Sequence, residues 1–165
     1  MEIRVRETGA VMFESEFRAL HPNTSLPTLL TSDILDEFGA DPVLEGPQAT
    51  GGDVYQFSMR QGVEEVNGQW FTKYVLGPIF QDIPAQGDQP AQTAAEQEAA
   101  YKAAKDAEQA KNVRNQRDRL LSESDWTQVA DAPVDKQAWA IYRQALRDVP
   151  EQAGFPWNVE WPQKP

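Results

Sequence analysis

A run of thirty residues without glycine or proline, 92–121, constrains this 165-residue chain more than any other feature. Alanine, glutamate, glutamine and lysine dominate the run, and all four favour helix. Glutamates lie near its start and arginines near its end, as the helix macrodipole favours. The run therefore predicts a single helix of about thirty residues, about 45 Å long at 1.5 Å per residue.

The apolar stripe on this predicted helix is thin. Its members are small or widely spaced, namely Ala99, Ala103, Ala110, Val113 and Leu120. Because alanine buries little area, the helix cannot anchor a core by itself. Two interpretations remain open: a solvated spacer between domains, or one strand of an alanine-seamed coiled coil through which the chain self-associates.

A β-hairpin is the clearest signal before the long helix. Tyr55, Phe57 and Met59 alternate with polar residues, and the return strand Gln69–Leu76 carries Trp70, Tyr74 and Leu76 at period two. Between the strands, Asn67-Gly68 suits a type I′ turn. We expect a hairpin with one aromatic face, which other elements must cover because an isolated hairpin is marginal in water.

The first forty-odd residues predict short elements that could cover this hairpin. Ile3 and Val5 alternate with arginines as in a strand, and residues 10–13 could return as a second strand. Ser15 can cap a short helix over 16–20. A second helix begins at Thr31 or Ser32 and ends before Gly39.

Together these signals predict an α+β chain: an N-terminal module over 1–80, a linker over 81–91, the long helix over 92–121 and a C-terminal domain over 122–165. In the last domain a helix over 134–147 presents an apolar stripe: Ala138, Ile141, Tyr142, Ala145 and Val149. Trp126 is expected at the corner before this helix. Residues 151–165 are expected to be extended, because Pro156 and Pro162 disfavour helix in the residues before them.

Composition excludes several classes of function. The chain has no cysteine, so disulfides and thiolate metal sites are ruled out. Its net charge of −11 divides into −9 before residue 91 and −2 after it, without a basic cluster. Such a chain repels phosphate backbones and acidic membrane surfaces. It also has no signal peptide or membrane-length apolar run, so we expect a cytoplasmic protein.

No catalytic constellation can be recognised. His21 is the only histidine, and it is expected to end a short helix, since no serine and aspartate accompany it as in a triad. The adjacent carboxylates Asp36-Glu37 and Glu64-Glu65 point in different directions on a helix or strand, so neither is a ready dyad. No nucleotide-binding or metal-binding motif is present. We therefore expect neither an enzyme nor a cofactor or metal.

The last third of the chain resembles the C-terminal domain of tailed-phage tail assembly chaperones, also called tail fibre assembly proteins. The resemblance covers about Arg117–Pro165 and rests on a Leu-Leu helix end, a Ser-Asp-Trp turn, a Trp-x-x-Tyr-Arg-x-x-Leu-Arg helix and a Phe-Pro…Trp-Pro tail. These are Leu120-Leu121, Ser124-Asp125-Trp126, the helix from Trp139 to Arg147, Phe155-Pro156 and Trp161-Pro162. The segment 11–27 resembles a piece often attached to such domains.

The resemblance implies a protein that binds the phage tail fibre, or a baseplate protein, and assists folding, trimerisation or attachment of the fibre. An alternative is a permanent adaptor or fibre-tip component of the virion tail; it would be found in the virion, and a chaperone in the host cytoplasm. The expected partner-binding residues are Trp139, Tyr142, Arg143, Phe155, Trp157 and Trp161. Because the same aromatics could form a small core, the sequence leaves both roles open for them.

Overall fold

The computed structural model describes residues 1–165 and divides them into two compact units, residues 1–79 and 80–165. The first is built on a five-stranded sheet with two short helices. The second is built on one long helix and a shorter one. This α+β architecture is the one the sequence predicts.

The first unit contains β1 (Glu2–Val5), β2 (Val11–Phe13), α1 (Glu14–Leu20), α2 (Ser32–Glu37), β3 (Ala40–Leu44), β4 (Phe57–Val66) and β5 (Gln69–Gly77). The strands lie in the order β2-β1-β3-β5-β4. All neighbours are antiparallel except β3 and β5, which pair in parallel. Strand β3 is absent from the sequence prediction, since Asp41 and Pro42 in so short a segment suggest a loop.

The turn of the predicted hairpin is confirmed. Asn67 and Gly68 have φ angles of 51° and 78°, so both central residues adopt the left-handed conformation of a type I′ turn. The prediction that the hairpin has a single aromatic face is wrong, however. Phe57 pairs with Gly77, whereas Tyr74 pairs with Arg60, and directly paired residues share a face. The aromatics therefore divide between the two faces of the sheet.

The core of the first unit lies between the helices and one face of β1 and β3. Its buried members are Ile3, Phe17, Leu30, Leu35 and Ala40. Helix α1 begins two residues earlier than predicted, where Glu16 Oε2 accepts a hydrogen bond of 2.7 Å from the backbone N–H of Phe13. Helix α2 is capped as expected by Thr31, whose side chain accepts from the N–H of Ile34.

The second unit contains α3 (Ala94–Glu123), a 3₁₀ turn (Asp125–Gln128), α4 (Lys136–Asp148) and a second 3₁₀ turn (Val149–Glu151). Helix α3 confirms the predicted thirty-residue helix. Thr93 and Glu96 close its first turn as a capping box. The segment before it is tied down, since Gln92 pairs with Ile83 and the Asp82 carboxylate accepts from the N–H of Ala94 at 2.7 Å.

The i,i+4 spacing along α3 favours two ion pairs, Glu98–Lys102 and Arg114–Asp118, and only the first forms. Glu98 and Lys102 lie 2.6 Å apart, as predicted from their i,i+4 spacing. Arg114 does not pair with Asp118. Its guanidinium carbon lies 5.2 Å from the centre of the Phe155 ring, while Asp118 lies beside Arg117. A contact with the distant C-terminal segment thus replaces the local pair.

Candidate partner-binding site

Helix α4 begins at a strong cap. Oδ1 of Asp135 accepts hydrogen bonds from the backbone N–H groups of Gln137 and Ala138, at 3.0 and 3.1 Å. An aspartate at this position also favours the positive end of the helix dipole. The cap fixes where the helix begins, and therefore which side chains face α3.

The buried face of α4 is rotated from the predicted one. Trp139, Tyr142, Arg143 and Leu146 are buried, and their spacing of three and four residues places them on one side. Ile141, which the predicted stripe included, is 64% exposed. If the aromatic ring of Trp139 and the aliphatic stem of Arg143 are counted as apolar in the sequence pattern, the pattern predicts the buried face of α4 correctly.

Three aromatic rings meet where α4 adjoins the first 3₁₀ turn. The centroid of Trp139 lies 6.0 Å from that of Trp126 and 5.6 Å from that of Tyr142, both in edge-to-face arrangements. Trp126 was expected to fill this corner as part of the core. It is instead half exposed, at 50%. The edge of this cluster is therefore accessible to another molecule.

Arg143 connects the end of α3 to the 3₁₀ turn through hydrogen bonds. Its Nη1 donates to the carbonyl of Leu121 and to Oγ of Ser124, each at 2.7 Å, and its Nη2 donates to Oδ1 of Asp125 at 2.7 Å. The residue is only 8% exposed. Its guanidinium thus neutralises the negative C-terminal end of α3 and joins two of the motifs on which the family resemblance rests.

The C-terminal segment folds back on its own unit rather than extending as expected. Turns continue as far as Asn158, whose N–H donates to the carbonyl of Gly154 at 2.7 Å. The side-chain amide of Gln152 then makes two hydrogen bonds with the backbone of Glu160, at 2.8 and 2.7 Å. Trp157 donates from Nε1 to Oδ1 of Asp106 on α3. The segment is therefore held along α3.

The six residues expected to bind a partner lie in two places. Trp161 packs against the buried cluster of Trp139, Tyr142 and Leu146, and Lys164 Nζ lies 5.5 Å from the Trp139 ring. Phe155 and Trp157 are half-buried and contact α3 at Arg114 and Asp106. Arg143 and Tyr142 point into the unit, while the tail aromatics keep part of their surface exposed.

Outside this region, three of the side chains considered for catalysis, His21, Asp36 and Glu64, have structural partners. His21 is the C-terminal cap residue of α1, as expected, and its ring lies 4.9 Å from those of Phe17 and Phe38. Asp36 pairs with Arg6 at 2.7 Å, and Glu64 pairs with Lys73 at 3.5 Å.

A cleft of the first unit is lined by Arg6, Asp36, Asp41 and Trp70, among others. Arg6 donates to the carboxylates of Asp41 and Asp36, and these hydrogen bonds raise its pKa above the ordinary value. The cation of this cleft is thus neutralised by its own unit. No group of three or more histidine, aspartate or glutamate side chains could hold a metal ion, and no helix has the length and hydropathy to cross a membrane.

Comparison with protein families identifies the C-terminal segment. Residues 110–165 match the model of the phage tail assembly chaperone protein family. The match begins near the buried part of α3 and includes α4 and the folded-back segment, which are the parts joined by Arg143 and the aromatic cluster. The segment therefore matches the family that its motifs resemble, and this supports a role in phage tail assembly. Curated proteins and solved structures gave no significant match.

Proposed function

We propose that this chain is a phage tail assembly chaperone whose C-terminal unit binds the tail fibre and assists its folding, trimerisation or attachment. The observation that carries the proposal is the family match over residues 110–165. That family is not a class of enzymes. The proposal is therefore one of binding, and the site must offer a surface rather than reactive groups.

The aromatic edge of the second unit supports such a surface. Trp126 is half exposed, and Phe155, Trp157 and Trp161 are partly exposed along the folded-back segment. Tryptophan and tyrosine contribute most of the binding energy in many interfaces, because they bury a large area with few rotatable bonds. We propose that these rings contact the fibre. Trp139 and Tyr142 support Trp126 and Trp161 from the buried side, and Arg143 fixes the 3₁₀ turn that carries Trp126. Phe155 and Trp157 are supported by α3.

Co-expression of the fibre with and without this protein tests the proposed function. We expect soluble trimeric fibre, separated by size-exclusion chromatography, only when the protein is present. Equal yields of trimer in both cultures would contradict a chaperone role.

Single substitutions test the proposed surface. Trp126→Ala should weaken fibre binding by about tenfold or more, because a ring at an interface centre is a frequent hot spot. Ile141→Ala is the matched control, since Ile141 is exposed on the same unit but lies outside the aromatic cluster. Circular dichroism establishes that both variants are folded. Equal affinities of the two variants would place the fibre elsewhere.

A permanent adaptor in the virion tail is the second candidate. Its support is α3, in which only Ala110 and Val113 of thirty residues are buried, as in helices that span between bodies. Of the seam proposed for self-association through this helix, only Ala99 and Ala103 are exposed, whereas Ala110 and Val113 are buried and Leu120 packs within the unit. Mass spectrometry of purified particles separates the candidates, because an adaptor is present in stoichiometric copies and a transient chaperone is absent.

A further inference from the structure

We infer that the first unit carries a separate docking surface, on one face of the β4–β5 hairpin, and that this surface receives a positively charged amphipathic helix of a partner protein. We call the surface the hairpin face and define it by Leu44, Phe57, Met59, Phe71 and Val75. It lies in residues 1–79, outside the family match. The inference is therefore independent of the fibre-binding surface proposed above.

The strand register places these five side chains on one face. Val75 pairs with Met59, and Leu44 pairs with Phe71. Phe57 lies two residues before Met59 on the same strand, so its side chain points to the same face. Across β3 the same face continues to Pro42 and Ile3, the side on which the two helices pack. The hairpin face is thus the continuation of a face that is already helix-covered.

No helix of the unit covers the hairpin face. Helix α1 packs on β1 and β2, and α2 packs on β3. The core cluster under these helices contains no side chain from β4 or β5. Phe57 remains 54% exposed and Leu44 43% exposed. This half of the sheet face is therefore largely apolar and has no helix over it, although Met59, Phe71 and Val75 are half-buried, whereas a sheet normally buries such a face under another layer.

The charge of the unit determines what can dock there. Residues 1–79 contain 12 acidic and 5 basic side chains, a net charge of −7. Each of the five basic side chains, Arg4, Arg6, Arg18, Arg60 and Lys73, already forms an ion pair within the unit. Seven carboxylates form no ion pair: Glu7, Glu16, Asp33, Glu37, Glu45, Asp53 and Glu65. The field that a partner meets is therefore negative, with no unpaired lysine or arginine to receive an acidic partner.

This charge favours a basic partner over a second copy of the chain. Two units of charge −7 repel each other on approach, whereas lysines and arginines flanking an apolar stripe are attracted. On the hairpin face itself, Lys73 is 3.5 Å from Glu64, so its charge is locally compensated. A helix is the expected form of the ligand, because α1 and α2 cover the rest of this face.

Two synthetic peptides test the inference without the fibre. Both are 18-residue helices with the same leucine stripe; one carries lysine and the other glutamate on the polar face. We expect the full-length protein to bind the lysine peptide, with affinity falling about tenfold between 50 and 300 mM NaCl because salt screens the attraction. The glutamate peptide should not bind. Equal binding of the two peptides would overturn the inference.

Substitutions locate the binding. Phe57→Ser should weaken binding of the lysine peptide by about tenfold or more. Leu29→Ser is the matched control, because Leu29 is an exposed leucine of the same unit outside the hairpin face. The affinity of this variant for the lysine peptide should stay unchanged. If Phe57→Ser does not fold by circular dichroism, Leu44→Ser replaces it. Equal effects of the hairpin-face and control substitutions would show that the peptide binds by charge alone.

Two further results would overturn the inference. One is a dimer in light scattering that Phe57→Ser dissociates, since a second copy would then occupy the face. The other is a set of amide shift changes, on addition of the lysine peptide, that lies outside β4, β5 and the end of β3 at Leu44. Fibre co-purification with each variant separates this inference from the proposed function. If Trp126→Ala loses the fibre and Phe57→Ser retains it, the two surfaces are independent.

Discussion

At the scale of the residue, Arg143 shows how one side chain can connect motifs that are distant in sequence. It donates hydrogen bonds to the Leu121 carbonyl in the last turn of α3, to the hydroxyl of Ser124 and to the carboxylate of Asp125. The sequence presents Ser124-Asp125 and Arg143 only as separate motifs. Their role as partners depends on the chain reversing between them, which no local pattern reveals.

We expect Arg143→Ala to lower the free energy of unfolding by about 2–3 kcal/mol, because it leaves buried acceptors without their charged donor. Urea unfolding followed by tryptophan fluorescence measures the change. Arg147→Ala, an exposed arginine on the same helix, should change stability by no more than about 0.5 kcal/mol. A loss in Arg143→Ala as small as that expected for Arg147→Ala would mean that the three hydrogen bonds of Arg143 contribute little.

At the scale of the element, the long helix was predictable because its determinants are local. The absence of glycine and proline from 91 to 132 allows an uninterrupted helix, Thr93 with Glu96 sets its start, and Ser124 caps its end. Helix α4 was predicted within two residues at its start, yet its buried face was assigned incorrectly. Ile141 is more hydrophobic than Arg143, but Arg143 has acceptors at the end of α3 and Ile141 has no apolar neighbour there. Tertiary partners thus overruled side-chain hydrophobicity.

The stability of the first turn of α3 should depend on pH, because Glu96 closes that turn. Its pKa is lowered from the ordinary value of 4.5, first by the backbone N–H of Thr93 and then by the Thr93 hydroxyl. A lowered carboxyl pKa contributes stability that is present above the unfolded-state pKa and is lost as pH falls through the folded-state pKa. We therefore expect amide exchange of residues 94–97 to accelerate, relative to the rest of α3, as pH falls below about 4.5.

Two substitutions check the assignment to Glu96. Glu96→Gln should make the exchange of this turn independent of pH in the acidic range, apart from the intrinsic exchange rate. Glu98→Gln should retain the wild-type dependence, because Glu98 pairs with Lys102 and takes no part in the cap. Retention of the dependence in Glu96→Gln would assign it to another carboxylate.

At the scale of the whole molecule, the chain consists of two compact units, and the boundary between them in the sequence lies between Ile79 and Phe80. Each has its own buried cluster, one around Ile3 and Phe17 and one around Trp139 and Leu146. The family match covers only part of the second unit. The first unit is thus free to carry a different interaction, as the hairpin face suggests.

We expect fragments 1–79 and 80–165 to fold separately. Their amide spectra should overlay on that of the full chain except near residues 79 and 80. Both fragments should unfold at low urea concentration, because a small core leaves a small domain marginal. A fragment that is unfolded alone but folded in the full chain would show that the two units depend on each other.

The sequence by itself determined the features that depend on near neighbours: the long helix, the Asn67-Gly68 turn, the cap of α2 and the family motifs of the last third. Only the tertiary structure decided the features that depend on distant partners. Strand β3 exists because β1 and β5 supply hydrogen bonds to a segment with poor strand propensity. The tail folds back because Asp106 and Arg114 meet Trp157 and Phe155. Backbone propensities act over a few residues, whereas burial and pairing join residues that the chain brings together only when folded.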